Sequence, residues 1–198
     1  MRSIIKGISI LSLLFLWGCM ARIPPKVDLR PYNQIGVVSF NLENARGDIG
    51  DLVAAKFIRA IGKSQRKAHL IKIGSAKQIQ KRIGKSELDV KAVGKKYGVD
   101  ALFTGKLGLS DVEAQIEESG LSRNLKVLAN ANLTITVQLI STATGEVLWT
   151  NSVTEKRKLS QIRMRGGIPE FAAYDPNRAY GLIIEDLVDK LTADFRSR

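Results

Sequence analysis

The stretch Ala131-Asn132-Leu133-Thr134-Ile135-Thr136-Val137-Gln138-Leu139 alternates apolar and polar side chains at every step. Successive side chains of an extended strand point to opposite faces, so this pattern predicts a strand with one buried and one solvated face. Residues 141–145 then supply a turn in which Gly145 can adopt a positive φ, and residues 146–154 are predicted to return antiparallel. The stretch therefore predicts an antiparallel hairpin beside a hydrophobic core.

The segments on either side predict the remaining elements of the fold. Residues 34–40 are β-branched and apolar, which is typical of a buried strand, and the helical spacing after them predicts a helix that ends at Gly62. The other predicted elements are a strand at 70–73, short helices at 75–82 and 89–97, a strand at 101–109, and a closing helix whose apolar stripe runs from Tyr180 to Phe195. This order predicts an α/β (α+β) fold, with a single mixed sheet of about five strands and helices packed on it.

Two polar segments interrupt this pattern. Residues 110–125 are acidic and predict either a loop or a solvated extension of the preceding strand. Residues 156–177 contain five basic residues and the pair Gly166-Gly167, and we predict an irregular, exposed and mobile segment. Neither segment offers the alternating hydrophobic band that a membrane-crossing strand needs.

The N-terminal segment has the features of an export signal. Arg2 and Lys6 precede an apolar run over residues 8–17, which is too short to span a bilayer in the mature chain. Leu16-Trp17-Gly18-Cys19 resembles the bacterial lipoprotein signal, although Trp17 is bulkier than the usual residue. The resemblance implies cleavage after Gly18, a diacylglycerol thioether on Cys19 and an N-linked acyl chain such as palmitate, with no other cofactor. The alternative is an ordinary signal that happens to contain a cysteine.

The domain organisation follows from this signal. We predict a lipoprotein signal peptide at 1–18, a lipidated cysteine and proline-rich tether at 19–31, and a single globular α/β domain at 32–198. In the sorting rule for enterobacterial lipoproteins, an Asp after the lipidated cysteine retains the protein at the inner membrane. Met20 occupies that position, so the resemblance implies a lipid-anchored protein of the outer membrane that faces the periplasm.

The charge of the chain is strongly basic, at +12, which favours anionic partners. Export excludes nucleic acid and leaves lipopolysaccharide, anionic lipid or an acidic protein. Residues 59–96 hold twelve basic residues against only Glu87 and Asp89. The candidate patch for an anionic partner consists of Lys63, Arg66, Lys67, Lys77, Lys81, Arg82, Lys85, Lys95 and Lys96. The alternative is that these charges merely form a solvated face.

The sequence offers no constellation that predicts catalysis. His69 is the only histidine, and the only cysteine is assigned to lipid, so neither a metal cluster nor a nucleophile with its base is available. We therefore predict no enzyme activity, no catalytic residues and no metal.

Three stretches carry a resemblance to a family. They are Ile35-Gly36-Val37-Val38-Ser39-Phe40 before a long helix, Tyr97-Gly98-Val99-Asp100-Ala101-Leu102-Phe103-Thr104-Gly105, and Thr144-Gly145-Glu146-Val147-Leu148-Trp149. In this order they resemble the CsgG-like group of envelope lipoproteins, which includes the curli secretion channel subunit, the penicillin-binding-protein activator LpoB and relatives of the TolB amino-terminal domain. The resemblance implies a small α/β domain.

The activities of that group diverge, so two functions follow from the resemblance. The first is a non-enzymatic interaction or adaptor module of the cell envelope, which docks on an envelope protein assembly or on its own kind. The second is a component of an outer-membrane transport or secretion system, either an oligomeric CsgG-like channel or a lipoprotein that handles lipopolysaccharide.

Overall fold

The computed structural model describes residues 25–117, 126–160, 162–171, 173 and 175–197. The predicted signal peptide with Gly18 and Cys19 lies outside these residues. The strands are β1 Ile35–Ser39, β2 Asn41–Glu43, β3 Leu70–Ser75, β4 Ala101–Glu117, β5 Lys126–Ser141, β6 Val147–Ser160, β7 Ile162–Arg165 and β8 Ile168–Phe171. The helices are α1 Ile49–Ser64, α2 Ala76–Ile83, α3 Val90–Tyr97 and α4 Pro176–Leu191, followed by the 3₁₀ turn Ala193–Phe195.

The predicted fold class is confirmed. Within the described residues, one open mixed sheet has the order β3-β1-β4-β5-β6, with the short β2 pairing with β4 as a sixth strand. β1 runs parallel to both β3 and β4, whereas β4, β5 and β6 are successively antiparallel. All five residues of β1 are buried, and β5 alternates buried with half-buried residues from Ala131 to Leu139, as its sequence predicts.

Helices cover both faces of the sheet because neighbouring residues of its central strands point in opposite directions. Val37 of β1 and Phe103 of β4 belong to the core that also contains the apolar stripes of α1 and α4. Val38 and Leu102, one residue away in each strand, belong instead to a smaller core beneath α2 and α3. The domain therefore has a layer of α1 and α4, the sheet, and a layer of α2 and α3.

The short helices begin and end where their sequences predict. Ser75 and Gln78 form a reciprocal capping box at the start of α2, and the Asp89 carboxylate caps α3 by accepting from the Ala92 N–H. Gly98 ends α3 in the left-handed conformation at φ 66°. The prediction that α1 ends at Gly62 is wrong by two residues, because the helix continues to Ser64. No helix of the described residues is both long and apolar enough to cross a bilayer.

The prediction of an irregular segment at 156–177 is wrong. β6 continues to Ser160, and β7 and β8 form a hairpin whose turn is made by Gly166 and Gly167, both at positive φ. Two charged residues of β6 are paired with α4, since Arg157 contacts Asp186, and Lys190 contacts Glu155. Lys156, on the other face of the strand, lies 3.4 Å from Glu113 of β4. Charged residues can therefore occupy the helix-facing side of this strand.

For residues 110–125, the strand-extension alternative holds as far as Glu117. β4 continues past a bulge between Ser110 and Glu113, where Asp111 has a positive φ of 51°, and its last residue pairs with Lys126. Residues 118–125 lie outside the described part of the chain.

The two ends of the sheet differ in character. Ala101 lies beside Ile35 of β1 and Ser141 of β5 at one end, which we call the base. The 17 residues of β4 lead away from the base to the pair Glu117 and Lys126. At about 3.3 Å per residue, the β4–β5 hairpin therefore extends about 50 Å from the base.

We predict that Gly105→Ala destabilises the domain by about 1–3 kcal/mol, because the new methyl group would overlap a packed ring. A Cβ atom built at Gly105 lies 2.4 Å from the Phe40 ring, whereas one at Gly108 in the same strand meets no atom closer than 3.9 Å. Urea unfolding would measure both variants, with Gly108→Ala as the matched control. Equal stability of the two variants would contradict this packing.

Candidate functional site at the base of the sheet

The N-terminal segment and the C-terminal turn meet at the base. The Val27 N–H donates to the Asp194 carbonyl over 3.1 Å, and the Lys26 ammonium lies 3.1 Å from the Asp194 carboxylate. Phe195, predicted as part of the closing helix, lies in the 3₁₀ turn and packs edge-on against Phe103 and Trp149 at 5.9 and 4.7 Å between ring centroids. The turn is thereby anchored in the main core.

Gln65, directly after α1, joins these segments through a buried side chain that is 8% exposed. Its amide nitrogen donates to the carbonyls of Val27 and Phe195 over 3.1 and 2.9 Å, and its amide oxygen accepts from the Leu29 N–H over 3.4 Å. A single amide therefore holds the end of α1, the incoming chain and the C-terminal turn together.

A groove of about 720 Å³ opens around this junction. It is lined by Pro25, Asp28, Arg30, Lys63, Ser64, Gln65, Arg66, Lys67, Arg196 and Ser197. Five of these residues are basic and one is acidic, so the groove is positively charged. We call this set of residues the base groove.

Two of the five cations of the base groove are already paired. The Arg30 guanidinium donates to both Asp28 carboxylate oxygens over 2.7–3.0 Å, and this hydrogen bonding holds the pKa of Asp28 below its ordinary value. The Arg196 guanidinium donates to the Asp189 carbonyl and carboxylate over 2.9 and 2.8 Å. These pairs position both guanidinium groups beside the groove.

The other three cations of the base groove are more accessible to an anionic ligand. Arg66 and Lys67 are exposed and make no ion pair or side-chain hydrogen bond with the part of the chain that the structure describes. Lys63 is also exposed. The pKa of Glu185 is lowered, chiefly by the hydrogen bond from Lys56 over 3.1 Å, and the charge of Lys63 lowers it further. The groove therefore presents net positive charge with room for an anion.

The structure distributes the nine residues of the predicted patch between both layers. Lys63, Arg66 and Lys67 line the base groove at the end of α1. Lys77, Lys81, Arg82 and Lys85 belong to α2 or follow it, and Lys95 and Lys96 lie in the last turn of α3, all exposed and on the opposite layer. Lys95 and Lys96 are also at the base end, since α3 ends just before Asp100, whose N–H donates to the Gln34 carbonyl.

Sequence reasoning missed Arg30 and Arg196 as groove residues. They are separated from Lys63 by about thirty and more than one hundred positions. No periodicity links them, because the contacts that bring them together are the backbone bond between Val27 and Asp194 and the Gln65 amide. The excess of basic residues after position 59 was the one signal that pointed to this surface.

A second groove of about 520 Å³ lies at the other end of the sheet, where β1 and β3 finish and α1 and α2 begin. The polar side chains at its centre are bonded to one another. The Ser39 hydroxyl donates to the Asp51 carboxylate over 2.5 Å and the Lys72 ammonium lies 2.9 Å away, and together they lower the pKa of Asp51. This carboxylate is stabilised in its charged form, which makes it a poor general base.

Among the residues that the structure describes, no three His, Cys, Asp or Glu side chains are grouped to hold a metal ion. His69 precedes β3 with an exposed side chain. The predictions that the chain has no metal, cofactor or catalytic residue stay predictions.

Comparison with known proteins gives matches among solved structures alone, since no family model and no curated protein matches the sequence. The chain is similar to the PelC dodecamer from Paraburkholderia phytofirmans at 12% identity, covering 89% of this chain and 94% of that one, with a TM-score of 0.46. It is similar to lipoprotein GNA1162 from Neisseria meningitidis at 11% identity, covering 80% and 97%, with a TM-score of 0.42.

A third similar structure is the LpoB C-terminal domain from Salmonella enterica. The identity is 15%, the alignment covers 75% of this chain and 93% of that one, and the TM-score is 0.40. LpoB is one of the proteins that the sequence stretches of this chain resemble. The resemblance to the curli channel subunit and to TolB stays a prediction.

We predict that Gln65→Leu destabilises the domain by about 1–3 kcal/mol, because the Val27 and Phe195 carbonyls would lose a buried donor. Amide hydrogen exchange should show faster exchange at Leu29, whose N–H loses its acceptor. The matched control is Ser64→Ala, which also lies in the groove but removes only a local bond from the Ser64 hydroxyl to the Ala60 carbonyl. Unchanged exchange at Leu29 in Gln65→Leu would show that the amide does not hold the segment.

Proposed function

We propose that this protein is a non-enzymatic interaction module of the bacterial cell envelope, anchored by lipid on Cys19 and facing the periplasm from the outer membrane. The observation that carries the proposal is the position of the base groove. Its lining begins at Pro25, six residues after Cys19, so the positive surface lies where the tether meets the folded domain. An anchored domain of this kind would hold this positive surface close to the membrane.

The chemistry of the described residues supports a binding role. The acids around the base groove are paired with cations, as Asp28 is with Arg30 and Asp189 with Arg196. The carboxylate in the second groove is held by Ser39 and Lys72. These are arrangements that fix charges in place, whereas proton transfer needs a group whose pKa lies near the working pH. The proposed partners are an envelope protein or a second copy of the chain.

We predict that Cys19→Ser abolishes both lipid attachment and cleavage of the signal. The wild-type chain should incorporate radiolabelled palmitate in cells and leave the membrane fraction only with detergent, because three acyl chains exceed the two needed for stable anchoring. The variant should incorporate no label and retain its uncleaved signal. Met20→Ser, which keeps the cysteine, is the matched control and should behave as wild type.

Label in the Cys19→Ser chain would contradict lipid attachment at this residue.

Mass measurement of the detergent-extracted wild-type chain provides a second test. A ring of eight or more subunits would favour the transport component over the adaptor, whereas a monomer or a small oligomer fits the module proposed here.

A further inference from the structure

We infer that the base groove binds phosphate groups of acidic phospholipids in the membrane that holds the chain, so that the base faces the bilayer and the β4–β5 hairpin points away from it. This inference rests on the proposed lipid anchor at Cys19. It adds to that proposal the ligand of the groove and the orientation of the domain.

The first step is reach. Six peptide units separate Cys19 from Pro25, and an extended chain spans at most about 3.3–3.6 Å per residue, or about 20 Å in all. Pro25 itself lines the groove, so an anchored domain cannot carry the groove farther than this from the head groups. A connection of this length also allows the groove to come within the screening length of about 8–10 Å at moderate salt, and at that distance an acidic surface attracts cations.

The second step is charge. Arg66 and Lys67 have no anionic partner in the described part of the chain, and Arg30 and Arg196 keep further N–H donors beyond those that hold Asp28 and Asp189. Guanidinium groups match phosphate oxygens in a planar, two-pronged geometry. The nearby carboxylates are committed to their own cations, so the groove accepts an anion without displacing an internal pair.

The third step is preorganisation. The floor of the groove is set by the buried Gln65 amide, which bonds three backbone groups of two distant segments. The cations therefore project from a rigid junction and need little ordering when a ligand binds. A patch of lysines on a mobile segment would lack this property.

Orientation follows from the strand directions. The tether and the groove are both at the base, and β4 and β5 run from the base to the Glu117–Lys126 pair about 50 Å away. With the base on the bilayer, this hairpin extends into the periplasm. The channel alternative requires the opposite, since its inserted segments would have to enter the membrane.

The test uses the full lipidated chain in vesicles of phosphatidylcholine, with or without one third phosphatidylglycerol. An amine-acylating reagent is added, and the labelling rate of each lysine is measured by mass spectrometry. In the acidic vesicles, Lys63 and Lys67 should label at about one third of their rate in the neutral vesicles or more slowly. Concentrated salt should make the two rates equal. Lys77, exposed at the other end of the sheet, is the internal control and should label equally in both.

Two variants sharpen the test. Arg66→Gln with Lys67→Gln should abolish the protection of Lys63, whereas Lys77→Gln with Lys81→Gln, which removes the same charge from the opposite layer, should leave that protection intact. All four side chains are exposed, so neither pair disturbs the core. Equal protection in both pairs would overturn the groove as the binding surface.

Failure of the inference is distinguishable from failure of the anchor. A chain that floats with neutral vesicles but labels Lys63 and Lys67 equally in both lipid mixtures overturns the lipid-binding groove and leaves the anchor in place. A chain that does not float with neutral vesicles lacks the anchor, which overturns the proposed function and this inference together. Protection that appears only with an added acidic protein would also overturn it.

Discussion

The structure depends on the burial of β1 between two parallel neighbours. Its five residues are buried on both faces, and its two edges are paired with β3 and β4. Val37 and Val38 therefore point into separate cores, which requires helices on both sides of the sheet. The parallel pairing also fixes the polarity of the domain, because β1, β3 and β4 all begin at the base and α1 must return its C-terminal end there.

The base groove is a consequence of that polarity. α1 delivers Lys63, Arg66 and Lys67 to the same end of the sheet at which the chain enters and the C-terminal turn finishes. The buried Gln65 amide bonds three backbone groups of those segments, so it holds the junction rigidly. Charge, position and rigidity thus coincide at one place, and there the domain joins its proposed anchor.

Much of the fold is predictable from local signals, whereas the groove is not. The alternation of residues 131–139, the caps at Ser75 and Asp89 and the stripe of α4 act over a few residues, so they are visible in the sequence. The sequence does not predict that β6 continues beyond Thr154, because Glu155 and Arg157 look like solvent-exposed charges. In the structure they form ion pairs with residues of α4, and these contacts depend on tertiary structure. The excess of basic residues after position 59 is likewise evident in the sequence. The sequence does not show that Lys63 and Lys81 lie on different surfaces, or that Arg196 and Arg66 line the same groove.

The central claim is that the base, and not the β4–β5 hairpin, faces the membrane. It can be measured with a fluorophore on a new cysteine in the lipidated chain, since Cys19 is the only native cysteine and is occupied by lipid in this account. Ser197→Cys places the label in the base groove and Glu113→Cys places it on the hairpin, in vesicles that carry a quencher on the lipid head groups. The account predicts strong quenching at position 197 and none at position 113. Quenching at position 113 with none at position 197 would contradict it.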